Sequence, residues 1–173
     1  MNGIKRVKPW RTAAETGPSW GVAVSSETMA RIIKDAENPL IVVGRDIDEL
    51  DGGLLDFVKK LSKTRSIPIV ATAHSISRFL DDSVDATIMG FVEVTNLLLD
   101  PEWGLKGAPH DLVMFVGIEY SFTNMMLNSL KNFSDIKTAS LSRYYQPNAS
   151  VSLANLTDDI WAESLEKISE KVV

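Results

Sequence analysis

Pro39-Leu40-Ile41-Val42-Val43-Gly44 constrains this chain more than any other stretch. Four consecutive apolar residues between a proline and a glycine leave no polar alternation, so the segment is apolar on both sides. That pattern suits a strand buried inside a parallel sheet with helices above and below. Asp111-Leu112-Val113-Met114-Phe115-Val116-Gly117 repeats the plan: a polar start, a solid apolar run, a glycine exit. In open α/β sheets ligands bind just beyond such strand ends, which makes the turns after Gly44 and Gly117 the first places to look for a site.

The rest of the chain alternates around these two strands. Ser26 can cap a helix from Glu27 to Glu37, with Met29, Ile32, Ile33 and Ala36 on one face. A second helix is expected from about Asp48 to Ser62, with Leu50, Leu54, Phe57, Val58 and Leu61 turned inward. Ile67 to Ala71 reads as the second strand and Asp85 to Met89 as the third. Gly90 opens a helix that runs through Leu99. Phe122 to Phe133 predicts a further helix, with Phe122, Met125, Met126, Ser129, Leu130 and Phe133 inward. Lys137 to Leu141 and Val151 to Leu153 supply the fifth and sixth strands. Thr157 caps a last helix, Asp158 to Val173, whose stripe is Trp161, Leu165, Ile168 and Val172. Strand–helix alternation throughout predicts a three-layer α/β/α domain with a six-stranded parallel sheet and right-handed crossovers.

The first 24 residues do not belong to that pattern. Pro9, Gly17, Pro18 and Gly21 interrupt any helix. Residues 1–24 therefore read as an N-terminal arm, and 25–173 as one α/β domain. Up to Ala23 the segment holds Lys5, Arg6, Lys8 and Arg11 against Glu15, a net +3. The whole chain carries −5, so the remainder carries −8. A basic arm on an acidic body points to a partner. The body has no basic patch and the arm carries Trp10 and Trp20, so an acidic protein surface is favoured over nucleic acid. Arg6, Lys8, Trp10, Arg11 and Trp20 are the candidate partner-binding residues, since Trp and Arg are preferred anchors. The competing reading folds the arm back on its own domain.

Composition removes several chemistries. There is no cysteine, which excludes disulfides, cysteine-ligated zinc and iron–sulfur clusters held by this chain alone, and fits a reducing cytoplasm. No apolar run approaches the ~20 residues of a spanning helix, and a membrane role is not expected. Of the two histidines, His74 follows the second strand and His110 precedes the fourth. They belong to opposite edges of the sheet and cannot share a metal. No G-x-G-x-x-G, G-x-x-x-x-G-K-[ST] or G-x-S-x-G occurs. Asp46, Asp48, Glu49 and Asp51 crowd the turn after Gly44, where they would repel a pyrophosphate; Arg45 could offset one phosphate charge. The candidate rim of a ligand site is Gly44, Arg45, His74, Ser75, Gly117, Glu119, Ser142 and Arg143, all near C-terminal strand ends. No residue is assigned a catalytic role.

The order of PLIVVGRDI, SIPIVATAHSI and DLVMFVGIEY resembles the central domain of thiamine-diphosphate enzymes, a nucleotide-binding-like fold shared with deoxyhypusine synthase. That resemblance implies an NAD/FAD-binding-type sheet with strand order 3-2-1-4-5-6. With PWRTAAETGPSWGVAV at the start, nearly the whole chain is similar to the epsilon subunits of archaeal acetyl-CoA decarbonylase/synthase complexes. The resemblance implies a non-catalytic subunit that associates with an alpha subunit bearing the nickel–iron–sulfur chemistry of carbon monoxide dehydrogenase, in an alpha2-epsilon2 type assembly. It also implies a possible self-association of the isolated chain, and FAD as the alternative to a purely structural role. Lacking cysteine, the chain could carry electrons only on an organic cofactor, most naturally flavin at the crevice between the first and fourth strands.

Overall fold

Leu40, Ile41, Val42 and Val43 are wholly buried, as an apolar run without alternation requires. The computed structural model describes residues 19–50, 53–80 and 84–172. Within them the run is β2 (Pro39–Val43), and its twin is β5 (Leu112–Val116); the two lie side by side in parallel register, Leu40 opposite Val113 and Val42 opposite Phe115. The other strands are β1 (Val22–Ala23), β3 (Ile69–Ala71), β4 (Ala86–Ile88), β6 (Lys137–Ser140) and β7 (Val151–Ser152).

Among the described residues the sheet has seven strands, not the expected six, and its order β1-β7-β6-β5-β2-β3-β4 differs from the expected 3-2-1-4-5-6 by one strand added at an edge. The addition is β1, which pairs in parallel with β7 at the edge of the sheet. Val22-Ala23-Val24 is an apolar run of only three residues following Gly21, too short to mark a strand by composition. All pairings are parallel. Chain order reverses between β2 and β5.

Helices cover both faces. α1 (Ser26–Asp35), α2 (Gly53–Arg65) and α5 (Asp158–Val172) bury Met29, Ile33, Leu54, Val58, Trp161 and Leu165 against Ile41, Val43, Met114 and Val116. α3 (Phe91–Leu97) and α4 (Tyr120–Phe133) bury Val94, Leu127 and Leu130 against Leu40, Val42, Val113 and Phe115. The period-2 alternation of side chains along β2 and β5 thus divides one apolar run between two cores.

Three local expectations change. The first helix is capped by Ser25, whose hydroxyl accepts from Thr28 N–H (3.2 Å), not by Ser26. α2 starts at Gly53 rather than Asp48. Arg45–Asp48 form a 3-10 turn instead, and Leu50 adopts a left-handed φ of 59°, which cannot continue into a helix. The third change concerns α4. It buries Tyr120, Thr123, Asn124, Leu127 and Leu130, while Met125 and Phe133 are 56% and 73% exposed. Of the six residues expected to face inward, Leu130 is buried and Met126 packs against the core, whereas Met125 and Phe133 turn away from the sheet. The buried Thr123 and Asn124 of α4 are paired: Thr123 Oγ1 donates to Glu119 O (3.0 Å), and Asn148 Nδ2 donates to Asn124 Oδ1 (3.0 Å).

The twin strands are tied at both ends. At their start the Asp111 carboxylate accepts from Glu37 N–H (2.8 Å) and Asn38 N–H (2.9 Å). His110 Nε2 accepts from Leu105 N–H (3.2 Å), which makes Nδ1 the protonated nitrogen that donates to Asn38 O (2.9 Å). At their exit the Gly44 N–H donates to Val116 O (3.0 Å) and Asp46 N–H to Gly117 O (2.9 Å).

Candidate functional site

The two glycine exits approach each other, not an open crevice. A Cβ on Gly44 would lie 2.3 Å from Gly117 O and 2.9 Å from Ile118 Cα; one on Gly117, at φ 60°, would lie 2.9 Å from Ile47 N. Both positions need glycine because two backbones meet there. The Asp46 N–H that could have faced an anion is spent on Gly117 O.

The cleft that does exist lies beside this junction, at the C-terminal ends of β5 and β6. Gly117, Glu119, Ser142 and Arg143 line it, together with Asp46, Glu49, Ile118, Tyr120, Tyr144 and Trp161. Four of the eight expected ligand residues thus come together. Gly44 is buried in the strand junction. Arg45 is exposed, its Nε paired with Asp46 Oδ1 at 3.2 Å. His74 is exposed in the turn after β3. Ser75 is buried and shares a hydrogen bond with Thr72 Oγ1 (3.1 Å), so it fastens its own turn.

Each remaining polar group has a local task. Glu119 caps α4 by accepting from Phe122 N–H (2.9 Å). Arg143 pairs with Asp158, donates to Tyr144 Oη and stacks 4.6 Å from the Tyr144 ring centroid. Tyr144 meets Tyr120 edge-on, ring centroids 6.4 Å apart. Partial burial and the neighbouring Asp46 push the Glu49 carboxyl above the usual carboxylate range, against the opposing pull of Arg143. The aromatic wall was missed in the sequence. The signal for Tyr144 was its place in the loop after the fifth expected strand, beside Ser142 and Arg143.

This arrangement does not fit the pyrophosphate of a flavin dinucleotide. The cleft holds about 180 Å³, below the ~300–1,000 Å³ usual for small-molecule sites. Asp46, Glu49 and Glu119 face it, and its one arginine is committed to Asp158. Among the described residues no group of three His, Asp or Glu side chains could hold a metal ion. None of their helices is long and apolar enough to cross a membrane.

The other candidate surface is the arm. Arg6, Lys8, Trp10 and Arg11 lie outside the described residues. Trp20 is 54% exposed although the chain on either side of it is held. Ser19 O accepts from Lys131 Nζ (2.5 Å), Gly21 N–H donates to Pro147 O (2.8 Å), and Tyr145 Oη donates to Gly21 O (2.6 Å). A Cβ on Gly21 would fall 2.2 Å from Ala149 O, so glycine is what allows this close anchorage.

A protein family described as "CO dehydrogenase beta subunit/acetyl-CoA synthase epsilon subunit" matches residues 4–170. The acetyl-CoA decarbonylase/synthase complex subunit epsilon of Methanothermobacter thermautotrophicus is 36% identical over 166 residues, 94% of this chain and 95% of that one. The corresponding subunit of Methanothrix soehngenii is 39% identical over 161 residues, 90% of this chain and 85% of its own. Subunit epsilon 1 of Methanosarcina barkeri is 36% identical over 154 residues, 88% and 89% of the two chains.

Proposed function

The chain belongs to the family of CO dehydrogenase beta subunits and acetyl-CoA synthase epsilon subunits, and from that membership we propose a non-catalytic, supporting role. In this reading it binds the alpha subunit, which carries the carbon monoxide dehydrogenase chemistry of reversible acetyl-CoA cleavage, and stabilises it in an alpha2-epsilon2 type assembly in the cytoplasm.

The observation that carries the reading is the fixed exposure of Trp20. Hydrogen bonds from Lys131, Gly21 and Tyr145 hold the backbone around it, yet the indole stays half in water. An aromatic anchor on a rigid mount loses little entropy on binding, which is how interface hot spots are built. The basic residues Arg6, Lys8 and Arg11 precede it and would meet an acidic rim.

The test removes residues 1–18 and separately makes Trp20→Ala. Both leave β1 in place, so the domain should fold as before. Each variant is co-expressed with the alpha subunit and captured through it. Release of the truncated chain is the expected result; association equal to that of the full chain would remove the arm from the interface. No observation on the cleft favours flavin-mediated electron transfer as a second reading.

A further inference from the structure

The polar side of α4 is tied to the arm through one loop. Asn124 and Lys131 stand two turns apart on the same side of the helix. The crossover from β6 to β7 contains no helix, and it carries Gln146 and Asn148 against this side, both buried. Lysine has donors and no acceptor, so the atom that Asn148 turns to Lys131 Nζ is Oδ1 (3.2 Å). Its Nδ2 is then left to donate to Asn124 Oδ1 (3.0 Å). Gln146 Nε2 donates to Tyr120 O (3.0 Å), at the start of the same helix. The crossover is thus fixed on α4 at separate points along the helix.

The same crossover holds the arm. Pro147 O accepts from Gly21 N–H (2.8 Å), Ser150 O accepts from Val22 N–H (3.1 Å), and Tyr145 Oη donates to Gly21 O (2.6 Å). Lys131 joins the helix to both layers. Its Nζ donates to Asn148 Oδ1 and also to Ser19 O (2.5 Å), the carbonyl directly before Trp20. Desolvation holds its ammonium below the usual lysine range, as lodging the charge among protein groups requires. A hydrogen bond from a charged donor is stronger than a neutral one, and taking the ammonium away strips a partner from Ser19 O and Asn148 Oδ1 together.

We propose that Lys131 and Tyr145 form a latch that sets Trp20 in its exposed position and so governs binding of the large subunit without touching it. The two side chains grip the backbone on either side of the indole, Lys131 at Ser19 O and Tyr145 at Gly21 O. Both are positioning residues. The latch orders the Trp20 segment when the chain folds, so that this entropy is not lost again at association. This rests on the reading of Trp20 as the anchor and adds what holds that anchor ready.

The experiment uses the full chain and a large subunit purified without it. Lys131→Met keeps the apolar stem and removes the ammonium; Tyr145→Phe removes one hydroxyl. Each is also combined with Trp20→Ala, and thermal melts verify that all are folded. In the isolated chain, amide hydrogen exchange is read at Gly21, Val22 and Val24, whose N–H groups bond to the crossover or to β7. Exchange there is expected to rise about tenfold in either latch variant, with β2 and β5 unchanged. Unchanged exchange in both variants overturns the latch. Affinity for the large subunit is expected to fall about fivefold to tenfold in each latch variant. Added to Trp20→Ala, the same changes are expected to cost nothing further, because both act through one contribution. An equal loss in the Trp20→Ala background overturns the proposal, since the latch residues would then act apart from the indole. Full affinity in the latch variants, with Trp20→Ala weakened, overturns this proposal alone. A Trp20→Ala chain that binds as tightly as the native one overturns it together with the reading of Trp20 as the anchor.

Discussion

Replacing Gly44 with alanine tests whether the exit of β2 is a structural junction or a place kept open for a ligand. The added Cβ would sit 2.3 Å from Gly117 O and 2.9 Å from Ile118 Cα, both backbone atoms, so no side chain can swing aside. Relief requires the exits of β2 and β5 to separate. That endangers two hydrogen bonds, Gly44 N–H to Val116 O and Asp46 N–H to Gly117 O, at about 1 kcal/mol each. Overpacking in the close-packed interior adds roughly 1–3 kcal/mol. The expected loss is about 3–5 kcal/mol, a large part of the ~5–15 kcal/mol that holds a domain together. Urea unfolding followed by tryptophan fluorescence measures it, with midpoints compared at constant slope. Gly107→Ala is the control for backbone conformation alone. Its φ is 78° and a Cβ there meets nothing within 4 Å, so its cost is only the left-handed penalty of about 1–2 kcal/mol. A Gly44→Ala variant within 0.5 kcal/mol of native, or no worse than Gly107→Ala, would refute the junction and return the turn to the list of ligand sites.

Burial holds the His110 imidazole below its usual pKa, outweighing its bond to Asn38 O and the nearby Asp111 charge. The unfolded chain then binds more protons than the folded one between that lowered value and about 6.5, so stability is complete above about pH 6.5 and declines as pH falls through this window. Comparing urea midpoints of native and His110→Gln proteins from pH 5 to 8 should show a step in the native curve alone; parallel curves would contradict it. Titration of the isolated chain with FAD should leave flavin fluorescence unchanged at micromolar concentration, because the cleft offers three carboxylates and no uncommitted arginine; saturable quenching would falsify that reading of the cleft. The arm truncation completes the set.

Much of the fold was legible because the apolar runs of β2 and β5 allow one interpretation. A segment apolar on both sides needs two cores, and two cores need helices on both faces. The stripe of α5 was equally plain, since Trp161, Leu165, Ile168 and Val172 recur at helical spacing and are buried. What failed to show depends on contacts distant in the chain. β1 is two residues long and becomes a strand only because β7 has a free edge to offer it. α4 misled because periodicity reports where the apolar side of a helix is, not what covers it. The candidate site was half readable. Gly117, Glu119, Ser142 and Arg143 were placed at one sheet edge by topology alone and do line one cleft. That Gly44 and Gly117 consume each other could not be foreseen, because a glycine signals close approach without saying whether the approaching group is a ligand or another strand.

The pairing of β1 with β7 sets an order of events as well as a shape. Val22 finds its partner in Val151, so the first of the described strands must wait for nearly the last. Closing so long a loop is entropically slow and is repaid only when β6 and β7 already stand as a template. Trp20 is therefore presented on a fixed mount only by a finished domain. A truncated or half-folded chain would carry the same residues without the geometry. The fixed mount of Trp20 thus depends on a contact between segments more than a hundred residues apart in the chain.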